Sequence, residues 1–155
     1  MDRISPQARS RNMAAVRSKH TSPELAVRRI LHKAGYRYLL HDKRLPGTPD
    51  IVFPSRRAII EVRGCFWHQH PGCPSAVIPA TRQDYWQPKL EKNVTRDLEN
   101  HAALRRQGWR ITIVWECELE QDLSRVKRKL GRFLNYESVC PSSPSCGPMK
   151  RSPLK

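Results

Sequence analysis

The chain has 155 residues, enough for one domain with a proper core and too few for two comfortable ones. Its 29 Lys and Arg against 14 Asp and Glu leave a formal charge of +15, a field that attracts polyanions and makes nucleic acid the first partner to test. No stretch has the apolar length of a transmembrane span and no N-terminal apolar signal region is present, so the sequence reads as a soluble, intracellular protein and not a membrane one.

Residues 1–20 carry Arg3, Arg9, Arg11, Arg17 and Lys19 with only Asp2 as acid. They read as a basic arm along phosphates or as a solvated tail, and composition does not separate the two. The first helix follows, with Val27, Ile30, Leu31 and Ala34 at helical spacing, Pro23 in its first turn and Gly35 as its stop. Either Ser22 caps it, or Thr21 does with Glu24 as capping-box partner. Strands are predicted at Tyr36 to Leu40, Asp50 to Phe53 and Arg57 to Val62, the last two forming a hairpin about Ser55 and Arg56. Beyond a Cys/His-rich loop, Leu90, Val94, Leu98 and Ala102 mark one side of a long helix that Pro88 can open and Gly108 can close. Trp109 to Trp115 alternates as a strand, and a final amphipathic helix carries Leu123, Val126, Leu130 and Phe133 or Leu134. The domain is thus expected over 21–136, with a Ser/Pro/Lys-rich, disordered tail over 137–155. This order of elements predicts an α/β fold with a mixed β-sheet flanked by helices.

The strongest chemical signal is Pro49-Asp50 followed by Glu61-Val62-Arg63, which has the shape of the PD-(D/E)xK nuclease motif with Arg in the lysine place. A turn at Ser55-Arg56 sets Asp50 directly across from Glu61, with Cβ atoms roughly 5 Å apart, an unfavourable pairing unless a cation lies between them. Two carboxylates, a main-chain carbonyl and waters suit Mg²⁺. Arg63, on the same strand face as Glu61, could then meet the scissile phosphate. Without metal, the same residues make an exposed hairpin face in which Asp50 caps a turn.

Five cysteines is an odd number, and Cys65, His68, His70 and Cys73 crowd one loop while Cys117 follows a strand. Structural zinc takes four S/N ligands, and three thiolates with one imidazole suffice, which leaves one histidine spare. Cys140 and Cys146 are left over.

Gly64-Cys65-Phe66-Trp67-His68, Pro79-Ala80-Thr81-Arg82, Trp86, Lys89, Asn93, Arg96-Asp97, Gly108-Trp109-Arg110 and Val114-Trp115-Glu116-Cys117-Glu118-Leu119 occur in that order. With Ser10-Arg11-Asn12-Met13 and Leu45-Pro46-Gly47 before Pro49-Asp50, the sequence resembles the very-short-patch repair (Vsr) endonucleases from about Ser10 to Leu119. The resemblance implies a restriction-endonuclease-like nuclease fold with structural zinc on Cys65, His70, Cys73 and Cys117. Asp50 and the Val62 carbonyl would hold catalytic Mg²⁺, His68 would be the acid/base and Glu24 a supporting carboxylate. Phe66, Trp67 and Trp86 would wedge into the DNA stack, and Lys89 and Asn93 would face phosphate or base edges. Glu61 and Arg63 depart from the family's usual apolar residue and His or Asp, and move the site toward the general nuclease motif. The implied reaction is a nick 5′ of the thymine in a T:G mismatch in double-stranded DNA. The protein would be a cytoplasmic, nucleoid-associated bacterial monomer, with mismatch-repair proteins as candidate partners. Two rivals are a nuclease of the same fold with no mismatch preference and a non-catalytic zinc DNA-binding module.

Overall fold

The computed structural model describes residues 19–135. Most of the basic arm and the tail with Cys140 and Cys146 therefore lie outside the described residues. Helix α1 spans Ser22–Lys33 and buries Val27 and Leu31. Of the two predicted caps the structure uses Thr21, whose side chain accepts from the Glu24 N–H. Glu24 does not close a capping box on Thr21; its carboxylate accepts the N–H of His20 at 2.8 Å. Gly35, at φ +80°, takes the left-handed turn that ends the helix.

Strand β1 is only Leu39–Leu40, β2 is Ile51–Phe53, and β3 is Ala58–Arg63. A 3₁₀ turn at Pro54–Arg56, with Arg57 left-handed, joins β2 to β3. That tight connection sets the register Ile51–Ile60, Val52–Ile59 and Phe53–Ala58. The register is the one that the sequence predicts, and extended by one step it sets Asp50 opposite Glu61. Tyr36 and Tyr38, predicted to lie in β1, precede it instead; their rings meet Phe53 edge-on at 6.1 and 5.8 Å.

A long helix α2, Gln83–Arg106, links β3 to β4, Arg110–Trp115, which pairs parallel to β3. The sheet order β1-β2-β3-β4 with its one parallel pair makes the expected mixed sheet. One face packs Ile51, Phe53, Ala58, Ile60 and Val114 against α1 and the last helix. The other packs Val52, Ile59 and Trp109 against Leu104 of α2.

The predicted face of α2 is corrected by the structure. Leu98 is 65% exposed and Ala102 is exposed, whereas Leu90, Asp97, His101 and Leu104 are buried. Two of these four inward positions are polar, so the apolar stripe read from the sequence followed the neighbouring side of the helix. Pro88 lies inside α2 and does not open it. After β4 a short helix α3, Glu116–Gln121, appears where no element was expected. Helix α4, Leu123–Leu134, is capped by Asp122, whose side chain accepts from the Arg125 N–H at 2.9 Å. It buries Val126, Leu130 and Leu134, while Leu123 is 43% exposed and Phe133 lies under the Arg110 guanidinium.

Candidate active site and metal centre

A cleft of about 670 Å³ opens where the start of α1, the β1–β2 loop, the end of β3 and the middle of α2 converge. Asp50, Glu61, Glu24, His68 and Asp97 all line it. Gly47 sits in its wall at φ +75°, where a Cβ would come within 2.7 Å of the Asn100 side chain, so both backbone and space require glycine.

Asp50 stands at the start of β2, its Oδ2 accepting the N–H of Val62 at 2.9 Å. Burial pushes its carboxyl up to about 6, and the negative charges of Glu24 and Glu61 push the same way, against the Val62 hydrogen bond and His68. A cleft that crowds three carboxylates while burying one of them suits a hard cation.

Glu61 and Arg63 form a buried network and do not stand free at the cleft mouth. Arg63 donates to Glu61 Oε2 through Nε at 2.9 Å and Nη2 at 2.5 Å, and its Nη1 lies 3.5 Å from Asp97. His101 Nε2 is 2.9 Å from both Glu61 Oε2 and Arg63 Nη2. Burial works to raise the Glu61 carboxyl, but His101 and Arg63 outweigh it and hold it below its ordinary value. Asp97 reaches His68 Nδ1 at 2.5 Å. Burial opposes ionisation of Asp97 too, and the His68 hydrogen bond with the Arg63 and Arg96 charges prevails, so its carboxyl is lowered. An ionised carboxylate on Nδ1 fixes the imidazole orientation and leaves Nε2 as the working nitrogen.

Asp97 was noted in the sequence only within Arg96-Asp97 and given no role, and His101 and His41 were not singled out. Asn93, Asp97 and His101 recur every four residues between buried Leu90 and Leu104, a polar stripe that signals an inward-facing site on a helix. His41 has no such signal. It reaches the cleft through a left-handed residue at the start of the β1–β2 loop, with Nε2 3.1 Å from Glu24 Oε1 and Nδ1 3.9 Å from Asp50 Oδ1.

Cys65, His70, Cys73 and Cys117 come together with one ligand atom of each within 4.8 Å of the others. His70 Nδ1 is 3.3 Å from the Cys117 sulfur and 3.6 Å from that of Cys65. The His70 ring stacks on Trp115 at 4.1 Å, 10° from parallel, which fixes its direction. The three cysteines are free, and burial pushes the Cys65 thiol up to about 12. A tetrahedral S₃N set around a divalent ion is the arrangement that would draw such a thiol into thiolate form.

Beside this centre Phe66, Trp67 and Trp86 make one aromatic cluster with ring centroids 5.0 to 6.2 Å apart, each half-buried, and Tyr85 extends it. Lys89 Nζ donates to the Tyr85 hydroxyl and lies 5.9 Å over the Trp67 ring. Asn93 donates to the Trp67 carbonyl at 3.2 Å, so it braces the loop from α2.

Comparison with known proteins decides the family. A type II nicking enzyme, V.XorIIP of Xanthomonas oryzae pv. oryzae, is 54% identical over 86% of this chain and 97% of its own. The DNA mismatch endonuclease Vsr of Escherichia coli is 41% identical over 72% of this chain and 70% of its own. The model of the family described as DNA mismatch endonuclease Vsr matches residues 1–73. The chain belongs to the Vsr family. It is a DNA endonuclease, a hydrolase of phosphodiester bonds. The catalytic domain of homing endonuclease I-Bth0305I matches with TM-score 0.50 over 73% of this chain and 93% of that one, at 24% identity, a likeness of nuclease fold. Among these relatives the chain is thus matched over nearly the whole length of the Xanthomonas enzyme.

Proposed function

We propose that this Vsr-family chain nicks double-stranded DNA on the 5′ side of the thymine in a T:G mismatch, leaving 3′-hydroxyl and 5′-phosphate ends. The carrying observation is one cleft in which a half-buried Asp50 and an Asp97-oriented His68 share the lining with Trp67 of the Phe66–Trp67–Trp86 cluster. Asp50 and the main-chain carbonyl of Val62 would hold Mg²⁺, which would supply Lewis-acid stabilisation of the phosphate and activation of water. Glu61 lies on the same cleft wall, and its network with Arg63 and His101 neutralises it beside the metal position. His68 moves the proton, with Asp97 keeping Nδ1 occupied. Arg63 sets Asp97 in place and faces the charge that develops in the cleft. Glu24 supports the same wall. The basic surface gives sequence-blind attraction to duplex DNA, and Lys89 adds charge beside the wedge. A mispaired step costs less to unstack, so the aromatic wedge enters there first. The setting is the bacterial cytoplasm, on nucleoid DNA; no helix among the described residues is long and apolar enough to cross a membrane.

The test is a strand-labelled duplex with one T:G pair set against its T:A and C:G parents in the same context, with and without Mg²⁺. Cutting of the T strand of the mismatch alone is expected. Equal cutting of all three duplexes rejects the mismatch reading and leaves a general nuclease; binding without cutting leaves a zinc DNA-binding module. Trp67→Ala should erase the preference before it erases phosphate binding, since the wedge and not the charge discriminates.

The Cys65, His70, Cys73 and Cys117 set is proposed to hold one structural zinc. Metal analysis should find one equivalent in the purified protein, with Cys73→Ala and Cys117→Ala depleted of it. Loss of the ion should also loosen the aromatic loop, because folding and metal binding are coupled there. Full zinc content in both variants would reject the assignment.

A further inference from the structure

Where the chain enters α1, three side chains outside the Cys65, His70, Cys73 and Cys117 set converge at the cleft. His20, Glu24 and His41 each offer a ligand atom within 4.8 Å of the others. Glu24 is 2% exposed, and its Oε1 lies 3.1 Å from His41 Nε2. Yet neither atom has a hydrogen-bond partner: they are at ion-pair distance but not aligned for a bond. Buried polar atoms left in that state are costly, and two of them facing each other with a third donor alongside is an arrangement that a cation would resolve. The rings of His20 and His41 meet edge to face at 5.2 Å, both residues holding left-handed backbone at φ 54° and 49°.

We propose that His20, Glu24 and His41 form a second metal site, for a divalent transition ion such as Mn²⁺, Co²⁺ or Zn²⁺, beside the Asp50 position. Two imidazoles and one carboxylate favour borderline ions, whereas Mg²⁺ prefers oxygen ligands alone. Three protein ligands leave positions open for water or a phosphate oxygen. His41 turns Nδ1 toward Asp50 and Nε2 toward Glu24, so the Asp50 carboxylate acts behind the ligand and biases the tautomer that presents Nε2 to the ion. One cation already stands nearby. Arg28 Nη1 is 3.0 Å from His20 Nδ1 and 3.7 Å from Glu24 Oε1, and its side chain, a quarter exposed, has solvent to move into when the ion binds. The ion ties His20, just ahead of α1, to the β1–β2 loop along one wall of the cleft.

The experiment is a Co²⁺ titration of the full chain loaded with zinc, read by the visible absorption of Co²⁺ and by bound stoichiometry. One equivalent of Co²⁺ is expected with nitrogen and oxygen ligation and no thiolate charge-transfer bands. His41→Ala should abolish it, and His20→Ala, at an exposed position that leaves the core untouched, should weaken it about tenfold or more. Asp50→Ala should retain the equivalent, bound more weakly by no more than the roughly 10- to 100-fold that a lost outer partner costs, which separates this site from any ion held by Asp50 itself. The proposal is overturned if wild type takes up Co²⁺ only with thiolate bands or not at all. It is equally overturned if the non-thiolate bands survive in His41→Ala with zinc content and near-ultraviolet circular dichroism unchanged, or vanish in Asp50→Ala alone. Because the readout is binding, it stands apart from whether the enzyme prefers a T:G pair.

Discussion

Asp50→Ala should abolish strand cleavage while leaving affinity for duplex DNA intact or higher. The substitution removes the carboxylate that would hold the catalytic ion and, with it, one negative charge from a surface that meets phosphate. Lewis-acid stabilisation is worth several kcal/mol. At 1.36 kcal/mol per decade, its loss is a fall of roughly 10³-fold or more in rate. Single-turnover nicking and gel-shift affinity, measured on one mismatched duplex, check both halves of the expectation. Cleavage within tenfold of wild type would remove Asp50 from the site. The same carboxylate sets a pH dependence. With its carboxyl raised to about 6, Asp50 in the folded protein keeps a proton between about pH 4 and 6 that the unfolded chain has released. Its contribution to stability therefore falls as pH rises through that window. Proton and Mg²⁺ compete for the group, so the Mg²⁺ needed for half-maximal nicking should rise as pH drops below about 6, by roughly tenfold per unit.

His68→Ala should cost on the order of 10²- to 10⁴-fold in the cleavage step, the span of a positioned acid or base. Asp97→Asn is the more informative partner. The amide keeps the shape but can present its N–H to His68 Nδ1, and the charge that anchors both His68 and Arg63 is gone. Its rate should fall toward that of His68→Ala, because nothing then holds the imidazole with Nε2 outward. Asp97→Ala should fall with it. Either change should add little further loss in a His68→Ala background, and fully additive losses there would remove Asp97 from the proton path.

The parts of the fold written locally were legible in the sequence. A three-residue turn between two short strands leaves little choice of register, so Asp50 against Glu61 followed from counting. The cysteines and histidines were legible as a metal-ligating inventory, and the structure sets His70 among the sulfurs and His68 on Asp97. What was hidden depends on tertiary pairing. The inner face of α2 carries Asp97 and His101 where periodicity looks for apolar residues, because their partners Arg63 and Glu61 come from a strand more than thirty residues away. Helix α3 is six residues long, too short for a repeat to show, and it closes on Glu118, whose carboxylate accepts the Trp115 N–H. His41 depends on a left-handed residue that no spacing announces.

Phe66 and Trp67 sit in the short span between Cys65 and His70, and Cys65 lies two residues past β3 as Cys117 lies two past β4. β3 and β4 are paired along their whole length. A side chain driven between stacked bases is pushed back with equal force, and a loop hinged at one end would simply fold away. With the proposed zinc in place, the recoil would pass through both ends of the loop into two adjacent strands at once, and through Asn93 into the long helix. The Cys/His centre would then serve as an anvil: the few kcal/mol needed to part a base step would be work done against a rigid support rather than against the protein's own slack.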